Sequence, residues 1–403
     1  MAKWLEKTLG EVTAFIAKGI PPKYTKEESE NTIRVLNQKC NRNFEISYSE
    51  SRIHDCEKKK VPADKMLRAG DVLINSTGTG TAGRVAQMVK VPVPTTIDGH
   101  MILIRPSEEL DPIYYGYAVK SFQSQIEELA EGSTGQTEIN RRRLQDEVMI
   151  RYPSDKLVQK NIGSFLANID EKIKTNKEIN KNLLEQALAI YKDWFCDYAL
   201  SDGIFPENWK ITTIDAISSL VTRGIAPKYD DSSDQIVLNQ KCIRDHTIDI
   251  SLSRRHLPKR INEKWISKGD LLINSTGTGT LGRVAQVWFE ANNMTVDSHV
   301  TIVRPKDPIL QSYIGFWGLS HESEIEAQHT GSTGQTELPR DRVKAMELPL
   351  PDEDTLSKFN ELVIPMTSTV ISNQEENARL SQLRDALLPE LMSGELDVSN
   401  IDI

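Results

Sequence analysis

Residues 154–199 read SDKLVQKNIGSFLANIDEKIKTNKEINKNLLEQALAIYKDWFCDYA, directly after a Tyr152-Pro153 break. The stretch contains no proline and a single glycine, Gly163. Its apolar residues recur at alternating spacings of four and three: Ile162, Leu166, Ile169, Ile173, then Leu183, Ala187, Ile190 and Trp194. Such spacing is a heptad seam, and a seam needs a partner helix. Asn176 and Asn180 sit in its middle. The same order returns as Phe359, Val363, Met366, Val370, Asn373, Asn377, Leu380, Arg384, Leu387 and Leu391. Asn176 thus recurs as Asn373 and Asn180 as Asn377, an offset of 197 residues. An antiparallel pair with pseudo-twofold symmetry would set Asn176 opposite Asn377 and Asn180 opposite Asn373. Buried asparagines in a seam fix register at a cost in stability.

Each long helix follows a block, and the two blocks are copies. Lys18-Gly19-Ile20-Pro21-Pro22-Lys23-Tyr24 corresponds to Arg223-Gly224-Ile225-Ala226-Pro227-Lys228-Tyr229. Val35-Leu36-Asn37-Gln38-Lys39-Cys40 recurs unchanged at 237–242, and the β-branched residues around its start read as a strand. The glycine-rich run 70–87 recurs at 269–286, and Asp98-Gly99-His100 recurs as Asp297-Ser298-His299. Both of the latter lead into a strand ending Arg-Pro, at Arg105-Pro106 and Arg304-Pro305. An amphipathic helix is expected at 113–131 and again at 313–329, each running into Gly-Ser-Thr-Gly-Gln-Thr-Glu at 132–138 and 331–337. The copies differ most between Asn43 and Lys65 against Asp245 and Lys264. The predicted organisation is therefore block 1–153, helix 154–199, block 200–352, then helix and tail 353–403.

Composition narrows the function. A charged fraction of 27% and a hydrophobic fraction of 38% are those of an ordinary globular protein. No apolar run reaches membrane-spanning length, and the N-terminus lacks an apolar signal core. Cys40, Cys56, Cys196 and Cys242 form no CxxC pair, and free thiols suit a reducing cytoplasm. A net charge of −9 disfavours a protein that coats DNA by itself.

Gly78-Thr79-Gly80-Thr81-Ala82-Gly83 matches the dinucleotide pattern GxGxxG, but that pattern needs a helix immediately after it to hold the pyrophosphate. Val85-Ala86-Gln87 reads as a strand, so the run is a loop between strands. Backbone N–H groups, threonine hydroxyls and Arg84 then suit a phosphate chain; a plain structural turn is the competing reading. Asp111-Pro112-Ile113-Tyr114 faintly resembles a methyltransferase tetrapeptide. Its counterpart Asp307-Pro308-Ile309-Leu310 loses the aromatic residue, so both read as helix starts with proline in the first turn. No nuclease, helicase or nucleophile–base constellation stands out. Lys58-Lys59-Lys60 lies opposite Lys259-Arg260 and reads either as a solvated face or as a phosphate contact.

Over its whole length the chain resembles the specificity subunits of type I restriction-modification systems. The resemblance rests on the block–helix order, on the two Gly-Ser-Thr-Gly-Gln-Thr-Glu segments, and on the ending Leu383-Arg384-Asp385-Ala386-Leu387-Leu388-Pro389-Glu390-Leu391-Met392-Ser393-Gly394. It implies an α/β protein: two target recognition domains with curved, mainly antiparallel sheets, separated by two long helices paired as an antiparallel coiled coil. Each domain would read one half of a split double-stranded DNA target. Two methyltransferase subunits would dock near the helices, and restriction subunits would join them. Those partners would use S-adenosylmethionine, ATP and Mg, leaving this chain cytoplasmic, non-catalytic and without a cofactor or metal of its own. A coiled-coil scaffold with protein-binding heads is the alternative.

On this reading Lys39, Arg52, His54, Arg84, Ser133, Thr134 and Gln136 face DNA in the first head. Lys241, Arg254, His256, Arg283, Ser332, Thr333 and Gln335 do so in the second. The near-identity of the heads departs from the family pattern, in which recognition domains usually differ strongly, and predicts half-sites that are wholly or partly inverted repeats.

Overall fold

The structure is a computed structural model that describes residues 3–132, 137–257, 261–331 and 336–396. Its contacts divide the chain into two compact units, residues 1–174 with 377–403, and residues 175–376. Each unit holds one block together with a part of both long helices.

In the first unit the central sheet has the order Thr13–Lys18, Met101–Pro106, Val72–Asn75, Val85–Gln87, all antiparallel. Its two middle strands are continuously apolar because both faces are covered. Val72, Ile74, Ile102 and Ile104 face a core built with the helices, whereas Leu73, Met101 and Leu103 face a second core around Leu36, Cys40 and Met88. The period-2 alternation of strand side chains is thus visible only in which core each residue joins. A second sheet pairs Thr32–Leu36 with Thr95–Ile97 in parallel and with Arg52–Asp55 antiparallel. The second unit repeats both arrangements. Leu271 and Ile273 join one core and Leu272 the other, and Ile236–Leu238 pairs in parallel with Met294–Val296. Every other described strand pair is antiparallel.

The helix expected at 113–131 is two helices, Pro112–Ser121 and Gln123–Glu128. Tyr114 through Val119 are all buried, so the first is covered all round rather than amphipathic. Asp111 caps it, its carboxylate accepting the N–H groups of Ile113 and Tyr114 at 3.0 Å.

The long helices span Lys156–Tyr191 and Glu353–Ser393. Asp155 and Asp352 cap them, accepting from Leu157 and Thr355. Partial burial pushes the Asp352 carboxyl up, but the Thr355 N–H and hydroxyl and the Trp209 indole N–H outweigh it and hold the group at about 2. Pro365 and Pro389 lie inside the second helix, where a proline forfeits a backbone hydrogen bond and would ordinarily kink or end the element. Packing overrides that preference here. Within each unit the helices run antiparallel. In the first unit Arg384 pairs with Asp170 at 2.6 Å, and Tyr117 donates to the same carboxylate at 2.6 Å. In the second unit the equivalent positions are Ala187 and Thr367, and the helices there meet around a cluster of rings. Tyr191, Phe195, Tyr313 and Phe359 pack with centroids 5.0–6.1 Å apart.

The seam asparagines divide between the units. Asn373 donates to the Asn180 oxygen at 2.8 Å, and Asn180 donates to the Val370 carbonyl at 3.2 Å. Asn176, 1% exposed, donates to Glu376 at 2.6 Å; Asn377 is half-buried. Truncating Asn180 to Ala strands the Asn373 amide in a seam and should cost about 1–3 kcal/mol. Replacing both by Leu should be neutral or stabilising, because no partner is then left unsatisfied. Thermal melts of the two variants check this; a double variant less stable than Asn180→Ala would refute it.

Candidate nucleic-acid interface

Backbone chemistry at four segments builds one polar cleft in the first unit. Asn37 starts a single turn, Gln38–Cys40, and its side chain accepts the Lys39 N–H at 2.9 Å while donating to the Glu50 carbonyl at 2.7 Å. This fixes the turn carrying Gln38 and Lys39 beside the strand that begins at Arg52. The Asn75 side chain donates to the Gln38 carbonyl at 3.1 Å and so attaches the same turn to the central sheet. His100 is placed by Asp98, whose buried carboxylate accepts the His100 N–H at 2.9 Å. Burial pushes the Asp98 carboxyl up, and the His100 contacts pull it back. The His100 Nδ1 lies 2.9 Å from the Thr77 hydroxyl, at the start of the glycine-rich loop.

That loop is a turn between Val72–Asn75 and Val85–Gln87, and no helix follows it. Gly78 has φ +113°, and a Cβ there would lie 2.7 Å from the Gln38 amide oxygen. Only glycine combines that φ with that approach. At the tip, Gly80 (φ +69°) has open space where a side chain would stand, so a ligand can approach its Cα closely. Arg84 folds back and donates to the Gly80 carbonyl at 2.9 Å, bracing the tip from within. Thr77 also bridges to Glu138, which puts the end of the Gly-Ser-Thr-Gly-Gln-Thr-Glu segment against the loop.

Tyr24, Asn37, Gln38, Lys39, Glu50, Arg52, Asp98 and His100 together line a cleft of about 280 Å³. Lys39 and Arg52 are exposed, and the Arg52 guanidinium lies 4.8 Å from the centre of the Tyr24 ring. A cation held over a ring keeps its N–H edge free for a phosphate or a guanine. The second unit repeats the construction. Asn239 accepts from Lys241 at 2.9 Å, Asn274 donates to the Gln240 carbonyl at 3.0 Å, and the Thr276 hydroxyl meets His299 Nδ1 at 2.8 Å. Arg254 lies 3.5 Å from the centre of the Tyr229 ring. Arg283, half-buried, occupies the place of Arg84.

Of the residues expected on this surface, Lys39, Arg52, Lys241 and Arg254 are exposed, and Arg84 and Arg283 are half-buried. Ser133, Thr134, Gln136, Ser332, Thr333 and Gln335 lie outside the described residues, as do Lys259 and Arg260. The two histidines are a correction. His54 and His256 are both 0% exposed and cannot touch DNA. The His54 Nδ1 accepts the Lys23 N–H at 2.8 Å, and its Nε2 lies 2.8 Å from the Lys59 carbonyl. The ring therefore splints two backbone segments. Beside the glycine-rich loops, the histidines that reach the surface are His100 and His299, both exposed. Repetition of Asp-x-His in both blocks was the signal for them, as the unchanged Asn-Gln-Lys was for Gln38 and Gln240. Of the lysine run, Lys58 pairs with Asp55 at 3.0 Å.

The sequence profile described as the type I restriction modification DNA specificity domain matches residues 1–185. Over 99% of this chain and 94% of its own length, the type I restriction enzyme MjaIX specificity subunit of Methanocaldococcus jannaschii is 24% identical. The HindI specificity subunit of Haemophilus influenzae is 21% identical over 98% of this chain and all of its own length. Along nearly its whole length the chain is thus similar to specificity subunits of type I restriction-modification systems. Among solved structures, the S subunit of the type I system from M. genitalium shares the fold with a TM-score of 0.60 at 16% identity, covering 99% of this chain and 97% of that one. In this chain the cleft and the glycine-rich tip form the polar surface that recurs in both units. Among the described residues no group of histidine, cysteine and carboxylate side chains could hold a metal ion, and no helix is long and apolar enough to cross a membrane.

Proposed function

We propose that each unit reads one half of a bipartite double-stranded DNA target, and that the two long helices set the spacing and dock methyltransferase subunits. Restriction subunits complete the assembly, and catalysis with S-adenosylmethionine, ATP and Mg belongs to the partners. The observation carrying this reading is the twice-built cleft, in which an exposed lysine, a ring-supported arginine, a glutamine and a histidine stand beside a bare glycine tip. Lysine and arginine suit phosphates, while glutamine, arginine and histidine can read base edges. With a net charge of −9, the chain alone should hold DNA weakly, so the partners supply the rest of the cationic channel.

Binding of the assembled complex to its target, followed across a salt series, tests this. Removing one phosphate contact should weaken binding to all sequences alike and lower the salt slope by about one. Arg52→Ala with Arg254→Ala should therefore lower the slope by roughly two. Unchanged affinity and slope in a folded double variant would take the clefts off the DNA surface. Loss of a protein partner with intact DNA binding would instead favour the scaffold reading.

A further inference from the structure

All but one of the cleft-lining residues of the first unit recur in the second; the exception is Glu50, which becomes Leu252. The carbonyl at this position is held in the same way in both units, although Ile250–Leu252 forms a 3₁₀ turn and residues 48–50 a non-helical one. Asn37 donates to the Glu50 carbonyl at 2.7 Å and Asn239 to the Leu252 carbonyl at 3.1 Å. The side chains are therefore delivered from equivalent places, two residues before Arg52 and Arg254. Glu50 is exposed, and its carboxylate joins no ion pair and accepts no hydrogen bond among the described residues, although Lys39 and Arg52 line the same cleft. Leu252 is 48% exposed, an apolar side chain with no core to fill.

A carboxylate on a DNA-facing surface is repelled by phosphates, so it is tolerated only where it meets a hydrogen-bond donor on a base edge. The major groove offers two such donors, the amino groups of cytosine N4 and adenine N6. Adenine places the N7 acceptor beside its amino group, against the second carboxylate oxygen, whereas cytosine has no acceptor there. Leucine has the opposite preference, for the thymine methyl. Resting on the DNA-reading proposal above, we propose that this position sets the two half-sites apart: Glu50 selects cytosine through its N4 amino group, and Leu252 selects thymine through its C5 methyl group at the equivalent place. The halves then differ by one pyrimidine transition where their other bases match.

The test uses the full chain co-expressed with its methyltransferase partners, with the methylated sites mapped genome-wide. The natural complex should methylate a target with cytosine at one position of the first half and thymine at its counterpart. Glu50→Leu should shift preference at that position from cytosine to thymine by about 10- to 100-fold and leave the other bases unchanged. Leu252→Glu should do the reverse in the second half. Glu50→Gln, nearly isosteric, should lose the cytosine preference while the complex still assembles. A specific bipartite target whose first half is unaltered by both Glu50 variants overturns this inference and leaves the DNA-reading proposal standing. A natural complex without any bipartite target overturns both.

Discussion

Mapping the adenines methylated by this chain with its partners should return a target whose two halves share nearly all their bases in inverted orientation. Half-sites are read by side chains on exposed loops, and different bases need different loops. Here Gln38, Lys39 and His100 recur as Gln240, Lys241 and His299 within the same supporting hydrogen bonds, and Arg52 recurs as Arg254 over the equivalent tyrosine ring. Equal readers select equal bases. Inverted order is the expectation for two copies carried on an antiparallel helix pair, as operator palindromes mirror a protein twofold. Each mismatched base pair usually costs about 1–3 kcal/mol. A synthetic target with the first half-site in both halves, differing at a single position, should thus be methylated within about 10- to 100-fold of the natural one. Two half-sites of unrelated sequence would have lost several contacts and would fall far below that. Mapped halves with no shared bases would defeat the claim, and exchanging 43–65 with 245–264 would then locate the difference.

Local chemistry was the legible part of this chain. The helix seam, the strands of the glycine-rich run and the capped start at Asp111 all follow from spacing and from residues within one turn of each other. What escaped depends on partners distant in sequence. Arg52 and His54 stand two apart on one strand, yet Arg52 is exposed and His54 is sealed between the Lys23 N–H and the Lys59 carbonyl. No local pattern separates a histidine used as a splint from one used as a reader. The break between Ser121 and Gln123 is likewise invisible in composition. Pro365 and Pro389 would locally argue for helix ends, but the buried faces on either side, with Val363, Val370, Leu388 and Leu391, hold the helix together. The cleft itself joins residues from 24 to 100, and only their repetition in a second block marked them out.

The Arg-Pro strand ends show the same limit and carry the largest stability effect expected here. Arg304→Ala should destabilise the chain by about 3–5 kcal/mol, the usual result of removing one partner of a buried pair. Asp270 is 1% exposed. The guanidinium contacts its two oxygens at 2.8 and 2.7 Å and also donates to the carbonyls of Trp265 and Glu263. Arg105 does the same with Asp71 and the carbonyls of Met66 and Asp64. Each arginine therefore pins the segment before the glycine-rich run to the central sheet. Burial pushes the Asp270 carboxyl up, while Arg304 and the Ser267 N–H pull it back. Without Arg304 the upward push is unopposed by a cation. A carboxyl whose folded pKa exceeds its unfolded one contributes stability at low pH and loses it as pH rises through the folded value. The deficit of Arg304→Ala should accordingly shrink on acidification, and Arg304→Ala with Asp270→Asn should recover part of the loss at neutral pH, because the uncompensated charge is gone. Urea melts of the single and double variants at two pH values measure this. A pH-independent deficit that the second substitution does not relieve would mean that Arg304 acts only through the carbonyls it holds.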